Sequence, residues 1–297
     1  MIGETFHEAV SRALKQRASR ARALAPQKAK ERRRQLGRSS IIMRALSSIN
    51  RTELTRHAGR LLTLARSEVA LLSALLVGAA GVLTFIEIAD DVTEADGRAF
   101  DAMILDVLRP HADPGHAWGP WWLEEAMADL TSLGGISVLG LFAVAVVGFL
   151  VIQRKRLSAL MLVIGLAGGV ALSEGFKGIF ERERPPAEYQ AVDTLNASFP
   201  SGHALLSTVF YLTVGVMLAR VLPSRRLKAW VMAMAVIVAM LVGLSRVYLG
   251  AHWATDVFAG WSLGAAWAMA LWLIAHLIER FQRRHHSPLR DEPAPAD

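Results

Sequence analysis

The 297-residue sequence predicts an all-α polytopic membrane protein, a six-transmembrane-helix bundle behind a basic cytoplasmic N-terminal arm. Three observations carry that expectation. Hydrophobic residues make up 53% of the chain and the mean hydropathy is +0.33, a composition suited to a polytopic membrane protein. The apolar residues gather into six runs of roughly 16 to 22 residues, close to the ~20 a helix needs to cross the hydrocarbon core. The charges between the runs segregate by sign, which sorts the connections onto two sides.

Residues 1–67 hold sixteen Lys/Arg against four Asp/Glu and form the arm. It reads as a loosely ordered basic tail, with an amphipathic helix on the anionic inner leaflet as the functional alternative. Nucleic acid is not an expected partner, because Arg32-Arg33-Arg34 is a charge run without stacking aromatics beside it. The first run, 69–88, starts only after this arm and is expected to act as an uncleaved anchor. An acidic loop follows at 89–132, with ten Asp/Glu and two Lys/Arg. Within it Phe100, Ile104 and Leu108 predict a short helix from Gly97 to Leu108, ended by Pro110. Trp118, Trp121 and Trp122 read as anchors at headgroup level.

The second and third runs, 133–152 and 157–176, are joined by the basic turn Gln-Arg-Lys-Arg at 153–156. Gly78 and Gly81 in the first run, and Gly165 and Gly169 in the third, are small residues that let helices approach closely. Runs four and five, 204–222 and 229–245, flank Pro-Ser-Arg-Arg-Leu-Lys at 223–228. Run six, 257–278, leads into a tail with Arg280, Arg283, Arg284 and Arg290. Basic segments stay cytoplasmic, so both termini are expected inside and loop 89–132 outside. The expected division is a basic arm at 1–67, a membrane domain at 68–278 and a basic cytoplasmic tail at 279–297. Cysteine is absent, which excludes disulfides, thiolate metal sites and a cysteine nucleophile.

Three polar clusters interrupt the apolar runs, all on the expected outer side. Lys177 and Arg184-Pro185 follow run three; seven residues apart, the two cations would share a face if the helix continued. Taken alone, Lys177 and Arg182 fit basic side chains reaching from a helix end toward the headgroups. Pro200-Ser201-Gly202-His203 opens run four. Ser201 suits an N-cap, and Gly202 lets a ligand come close to free amides at the positive end of a helix. His203 would stand beside a bound anion, and its reference pKa of about 6.5 suits proton donation to a leaving oxygen. Ser245-Arg246 closes run five, and His252 with Asp256 lies four apart ahead of run six, where an imidazole and its orienting carboxylate can meet. Metal ligation by His203, His252 and Asp256 is the competing chemistry, and three nearby cations oppose it. Neither a metal nor a cofactor is expected.

Together these clusters resemble the tripartite signature of the type 2 phosphatidic acid phosphatase superfamily, membrane lipid phosphatases related to vanadium-dependent haloperoxidases. The match spans 177–256 with every placeable position filled. The resemblance implies a six-helix core and metal-independent hydrolysis of a phosphomonoester or diphosphate of a membrane lipid. His252 would be the nucleophile forming a phosphohistidine, Asp256 would orient it, and His203 would protonate the leaving oxygen. Lys177, Arg184, Ser201, Gly202 and Arg246 would hold the phosphoryl oxygens. Candidate substrates are undecaprenyl diphosphate, phosphatidic acid, phosphatidylglycerol phosphate and lipid A phosphate, with the bacterial cytoplasmic membrane as the expected location. The alternatives are a lipid phosphotransferase using the same phosphohistidine, and a non-catalytic membrane protein that binds or transports anionic lipid. A transporter is expected to show broken helices near the midplane, whereas the polar residues here gather at one face. Glu174, one turn before Lys177, reads as its salt-bridge partner.

Overall fold

Lipid offers no hydrogen-bond partner to the backbone, so an apolar run of membrane length satisfies its amides by folding as a helix. The computed structural model describes residues 68–93, 95–109, 116–192 and 196–285. The expected arm at 1–67, and most of the expected tail, lie outside the described residues. The helices are α1 Glu68–Asp91, α2 Ala95–Leu108, α3 Trp121–Ser132, α4 Ile136–Ile152, α5 Arg156–Phe180, α6 Gly202–Val221, α7 Arg225–Tyr248 and α8 Ala254–His285, with a short 3-10 turn at Ala187–Tyr189.

Among the described residues five helices, α1, α5, α6, α7 and α8, are each long and apolar enough to cross a membrane. The expected second span differs. α4 has only 17 residues, and it reaches membrane length only with α3, from which it is bent by 46°. The count is therefore five, or six with the bent pair taken as one span. The bend falls at Leu133-Gly134-Gly135, and packing explains it. A Cβ on Gly134 would lie 2.3 Å from Cγ1 of Val242, so only glycine lets the chain turn this close to α7.

α6 is the centre of the bundle, packed against α5, α7 and α8, with residues 204–210 all buried. Gly169 of α5 faces it so closely that a Cβ would meet Cδ2 of Leu206 at 3.0 Å. Gly81 does the same for α1 and α8, where a Cβ would lie 2.6 Å from the Ser262 carbonyl. Phe85 and Phe176 lie 4.8 Å apart with their rings tilted by 54°, and Phe180 meets Phe199 edge-on at 4.8 Å. These rings tie α1 and α5 to the loop that delivers the start of α6. Large apolar side chains such as Leu76, Ile152 and Ile179 face outward, as helices solvated by lipid require. The outer tryptophans Trp118, Trp121 and Trp122 are exposed.

Candidate active site

Local backbone chemistry sets where each polar group stands. α5 stops at Phe180 because Glu181 adopts a left-handed conformation, φ 44°, and its amide closes on the Lys177 carbonyl at 3.0 Å. Lys177 and Arg184 therefore do not share a continuing helix face as the spacing suggested. Lys177 points from the last turn of α5 and Arg184 from the segment beyond it. α6 starts at Gly202 behind the N-cap Ser201, whose hydroxyl accepts from the Ala204 amide at 3.5 Å. The Ser201 amide donates to the Asp256 carbonyl at 3.0 Å, which joins the starts of α6 and α8. After α7 the chain turns at Gly250, φ 64°, where a Cβ would sit 2.0 Å from the Tyr189 carbonyl. The Ala251 and His252 amides both donate to the Arg246 carbonyl, and His252 is delivered just ahead of α8.

The expected residues meet around one cavity of about 340 Å³. Lys177, Arg184, Gly202, His203, Arg246 and His252 line it, alongside the apolar Ile136, Val170 and Leu206. Ser201 and Asp256 stand behind this wall. His252 is 2% exposed, with Nδ1 at 3.4 Å from Oδ2 of Asp256. Its Nε2 lies 3.2 Å from Nη1 of Arg184. A guanidinium can only donate, so Nε2 is the acceptor and the ring proton sits on Nδ1, toward the carboxylate. Burial pushes His252 down to about 4, opposed by the Asp256 hydrogen bond and charge and reinforced by Arg184 and Arg246. At neutral pH the imidazole is uncharged, and its Nε2 lone pair is turned to the Arg184 guanidinium on the cavity wall.

Asp256 is fully buried and heavily engaged. Its Oδ2 also accepts from the Trp253 amide at 3.0 Å and from the Ser198 hydroxyl, and its Oδ1 pairs with Nη1 of Arg182 at 2.5 Å. Arg184 uses most of its donors on the protein itself, with Nε to the Asn196 carbonyl and Nη1 to the Ala251 carbonyl, both at 2.6 Å. Arg246 is 5% exposed; Nη1 donates to Oγ1 of Thr131 at 3.2 Å, while Nε has no hydrogen-bond partner. Lys177 pairs with Glu174 at 2.8 Å, as the sequence suggested. His203 sits on the first turn of α6 over the glycine bend, where a Cβ on Gly135 would be 3.9 Å from its Nε2. Among the described residues no group of three or more His, Cys, Asp or Glu could hold a metal ion.

Sequence reasoning missed several members. Arg182 does not extend toward headgroups; its side chain is 11% exposed and bridges Asp256 to Asp101, the latter at 2.7 Å. Its one sequence signal is that it is a second arginine, two residues before Arg184. Ser173, 2% exposed and one turn before Lys177, lines the cavity with a hydroxyl that has no partner. Asp101 was hidden among the ten acids of the outer segment.

A family model for the PAP2 superfamily matches residues 157–280. A phosphatidylglycerophosphatase B of Bacillus subtilis is 33% identical over 164 residues, covering 55% of this chain and 80% of its own. An undecaprenyl-diphosphatase of Sulfolobus acidocaldarius is 35% identical over 121 residues, covering 39% of this chain and 54% of its own. The crystal structure of a transmembrane PAP2-type phosphatidylglycerolphosphate phosphatase from Bacillus subtilis superposes with a TM-score of 0.62 at 29% identity, covering 69% of this chain and 98% of its own. This chain has helices of membrane length around a cation-lined cavity, and its relatives are named as phosphatases, which defines the class as a helical membrane phosphatase. Within that class the chain belongs to the PAP2 superfamily.

Proposed function

We propose that this phosphatase removes a terminal phosphate, as a monoester or from a diphosphate, from a membrane lipid through a phosphohistidine on His252. The observation that carries this reading is the His252–Asp256 pair beside a cavity that holds both cations and apolar side chains. Such a wall suits an amphipathic ligand with a phosphate at one end. The names of the relatives point the same way: one acts on a phosphatidylglycerophosphate and one on undecaprenyl diphosphate.

In this mechanism Nε2 of His252 attacks phosphorus while Asp256 steadies the Nδ1 proton and the positive ring that forms. The bond to the lipid oxygen breaks, and that oxygen takes a proton from His203, which enters the step as the imidazolium, its charge offset by the phosphate anion bound beside it. His203 then accepts a proton from water, whose oxygen attacks the phosphohistidine and releases inorganic phosphate. Lys177, Arg246, the remaining donors of Arg184 and the amides at Gly202 and His203 offset the charge on the phosphoryl oxygens, with Ser201 fixing the helix start. None of these steps needs a metal. We read the bent α3–α4 pair as one span, which gives six spans, cytoplasmic termini and a cavity at the outer face of a bacterial cytoplasmic membrane. The basic turns and acidic loop support that orientation.

The test is inorganic phosphate release by purified wild type and His252→Ala in detergent with EDTA. The panel holds phosphatidic acid, phosphatidylglycerol phosphate, undecaprenyl diphosphate and lipid A phosphate. Release by wild type alone is the expected result. Retained turnover by His252→Ala would overturn the nucleophile, and restoration of an EDTA-sensitive activity by one divalent ion would replace the metal-independent route.

A further inference from the structure

Behind the cavity wall one arginine grips two carboxylates. Arg182 forks between two carboxylates, with Nη1 at 2.5 Å from Oδ1 of Asp256 and Nη2 at 2.7 Å from Oδ2 of Asp101. Asp101 belongs to α2, 155 residues before Asp256 in sequence, yet it is 2% exposed and fully engaged at the start of α8. Its Oδ1 accepts the Thr255 amide at 3.0 Å, and its Oδ2 accepts the Thr255 hydroxyl at 2.5 Å. The same hydroxyl accepts from Nη1 of Arg182 at 2.8 Å. The first turn of α8, which carries Asp256, is thus capped by a carboxylate from another helix and clamped by one guanidinium.

Helix capping alone would need only the Asp101 carboxylate. A buried arginine shared between it and Asp256 does something further, because one positive charge is divided between two negative ones. We infer that Asp101 and Arg182 are positioning residues that fix Asp256 against His252 and set how much of the Asp256 charge the imidazole feels. The inference rests on the reading of His252 as nucleophile with Asp256 behind it.

Other charged groups surround the pair. Lys177 of α5, Arg184 before α6, His203 of α6 and Arg246 of α7 face the same cavity as His252, while Arg182 and Asp101 meet Asp256 from behind. The cavity-side groups are untouched by substitutions at the rear, so rear substitutions report on the Asp256 charge. Removing Arg182 leaves Asp256 with its full charge toward His252, and the imidazole becomes more basic. Neutralising Asp101 returns the whole charge of Arg182 to Asp256, and the imidazole becomes less basic and a weaker nucleophile. The two changes therefore move one titration in opposite directions, which a merely structural clamp would not do.

The experiment measures kcat and kcat/KM against pH on one lipid phosphate for wild type, Arg182→Gln, Arg182→Lys, Asp101→Asn and His252→Ala, each full-length in detergent and checked for folding. The acid limb of Arg182→Gln is expected about one pH unit above wild type, the scale for a close charge partner. The limb of Arg182→Lys should return toward wild type. Asp101→Asn should place its limb below wild type and lower kcat about threefold to tenfold with KM within about twofold. Limbs that coincide with wild type in both Arg182→Gln and Asp101→Asn, whatever the activities, would overturn the inference. Where Arg182→Gln fails to fold, Asp101→Asn decides alone, and an unmoved limb overturns the inference whatever the kcat. Turnover by His252→Ala would instead remove the underlying reading, and that outcome is separate because it does not depend on the rear residues.

Discussion

Replacing Gly202 by alanine tests the start of α6 as the seat of the phosphoryl oxygens. The new methyl would stand 3.1 Å from Oγ of Ser173 and 3.8 Å from Nζ of Lys177, where an oxygen bound to both the helix amides and Lys177 must lie. The backbone accepts the change, because Gly202 is not in the left-handed region and is the first residue of a helix. Ser173 can yield a few tenths of an ångström, since its hydroxyl has no hydrogen bond to lose. Folding stability should hold or rise by about 0.4–1 kcal/mol through the reduced freedom of the unfolded chain. Losing one charge-assisted hydrogen bond costs the transition state about 1.5–3 kcal/mol. At about 1.4 kcal/mol per factor of ten, kcat/KM should fall roughly 10- to 150-fold. Phosphate release in detergent, inhibition by orthovanadate and a thermal melt read the three quantities. Activity and vanadate affinity within twofold of wild type would refute the placement of the anion. Full recovery in Ser173→Ala/Gly202→Ala would also refute it, by showing that only displacement of Ser173 mattered.

His252, held down to about 4 mainly by burial, loses its lone pair only when protonated. Activity should therefore persist as pH falls through 6.5 and drop about tenfold per unit below about 4, once corrected for the measured ionisation of the lipid phosphate. An acid limb owed to the enzyme near 6.5 would contradict the buried neutral imidazole. Rapid quenching into alkali of wild type turning over a phosphorus-labelled lipid should trap label on the protein, and none on His252→Ala; label on both would place the covalent step elsewhere. Ser173→Ala, which removes a partnerless buried hydroxyl from the cavity wall, should raise KM about threefold to tenfold and leave the melt unchanged. Gly134→Ala forces a Cβ to 2.3 Å from Val242 and should destabilise by about 1–3 kcal/mol, with recovery in Gly134→Ala/Val242→Ala; a lone variant that melts like wild type would show that the bend tolerates a side chain.

What the sequence reveals follows how local each cause is. Spans α5, α6, α7 and α8 were legible because crossing lipid demands a long apolar run, and the run itself records it. The Ser201 cap was legible for the same reason, since a cap acts within three residues. The helix ahead of run 133–152 was not, because Glu124, Glu125 and Asp129 make 121–132 read as loop, and the bend that joins α3 to α4 packs against Val242, over a hundred residues away. The extent of the Lys177–Arg184 cluster was misjudged for want of one conformation, the left-handed Glu181 that ends the helix. Arg182 looked like a headgroup contact because its partners, Asp101 and Asp256, come from two other helices. Ser198 is equally silent in sequence, and becomes informative only once it lies against Asp256.

In the proposed mechanism the cations of this site act twice, and the two actions support each other. A phosphate needs positive charge to neutralise its oxygens, and a histidine nucleophile needs to stay unprotonated while that charge is nearby. Arg184 and Arg246 do both, since each lowers the proton affinity of His252 while lining the cavity that would take the anion. Asp256 pulls the other way, raising the basicity of His252 enough to keep Nε2 reactive. Were Asp256 free of Arg182, that pull would strengthen and the acid limit of the proposed nucleophile would rise, narrowing its working range from below. Were the cavity cations absent, the same proton would be held by the approach of the phosphate dianion itself. In that reading a buried imidazole between one restrained carboxylate and several cations stays unprotonated well below neutral pH, an arrangement built where α5, the loop after it, α7 and α8 converge on the start of α6.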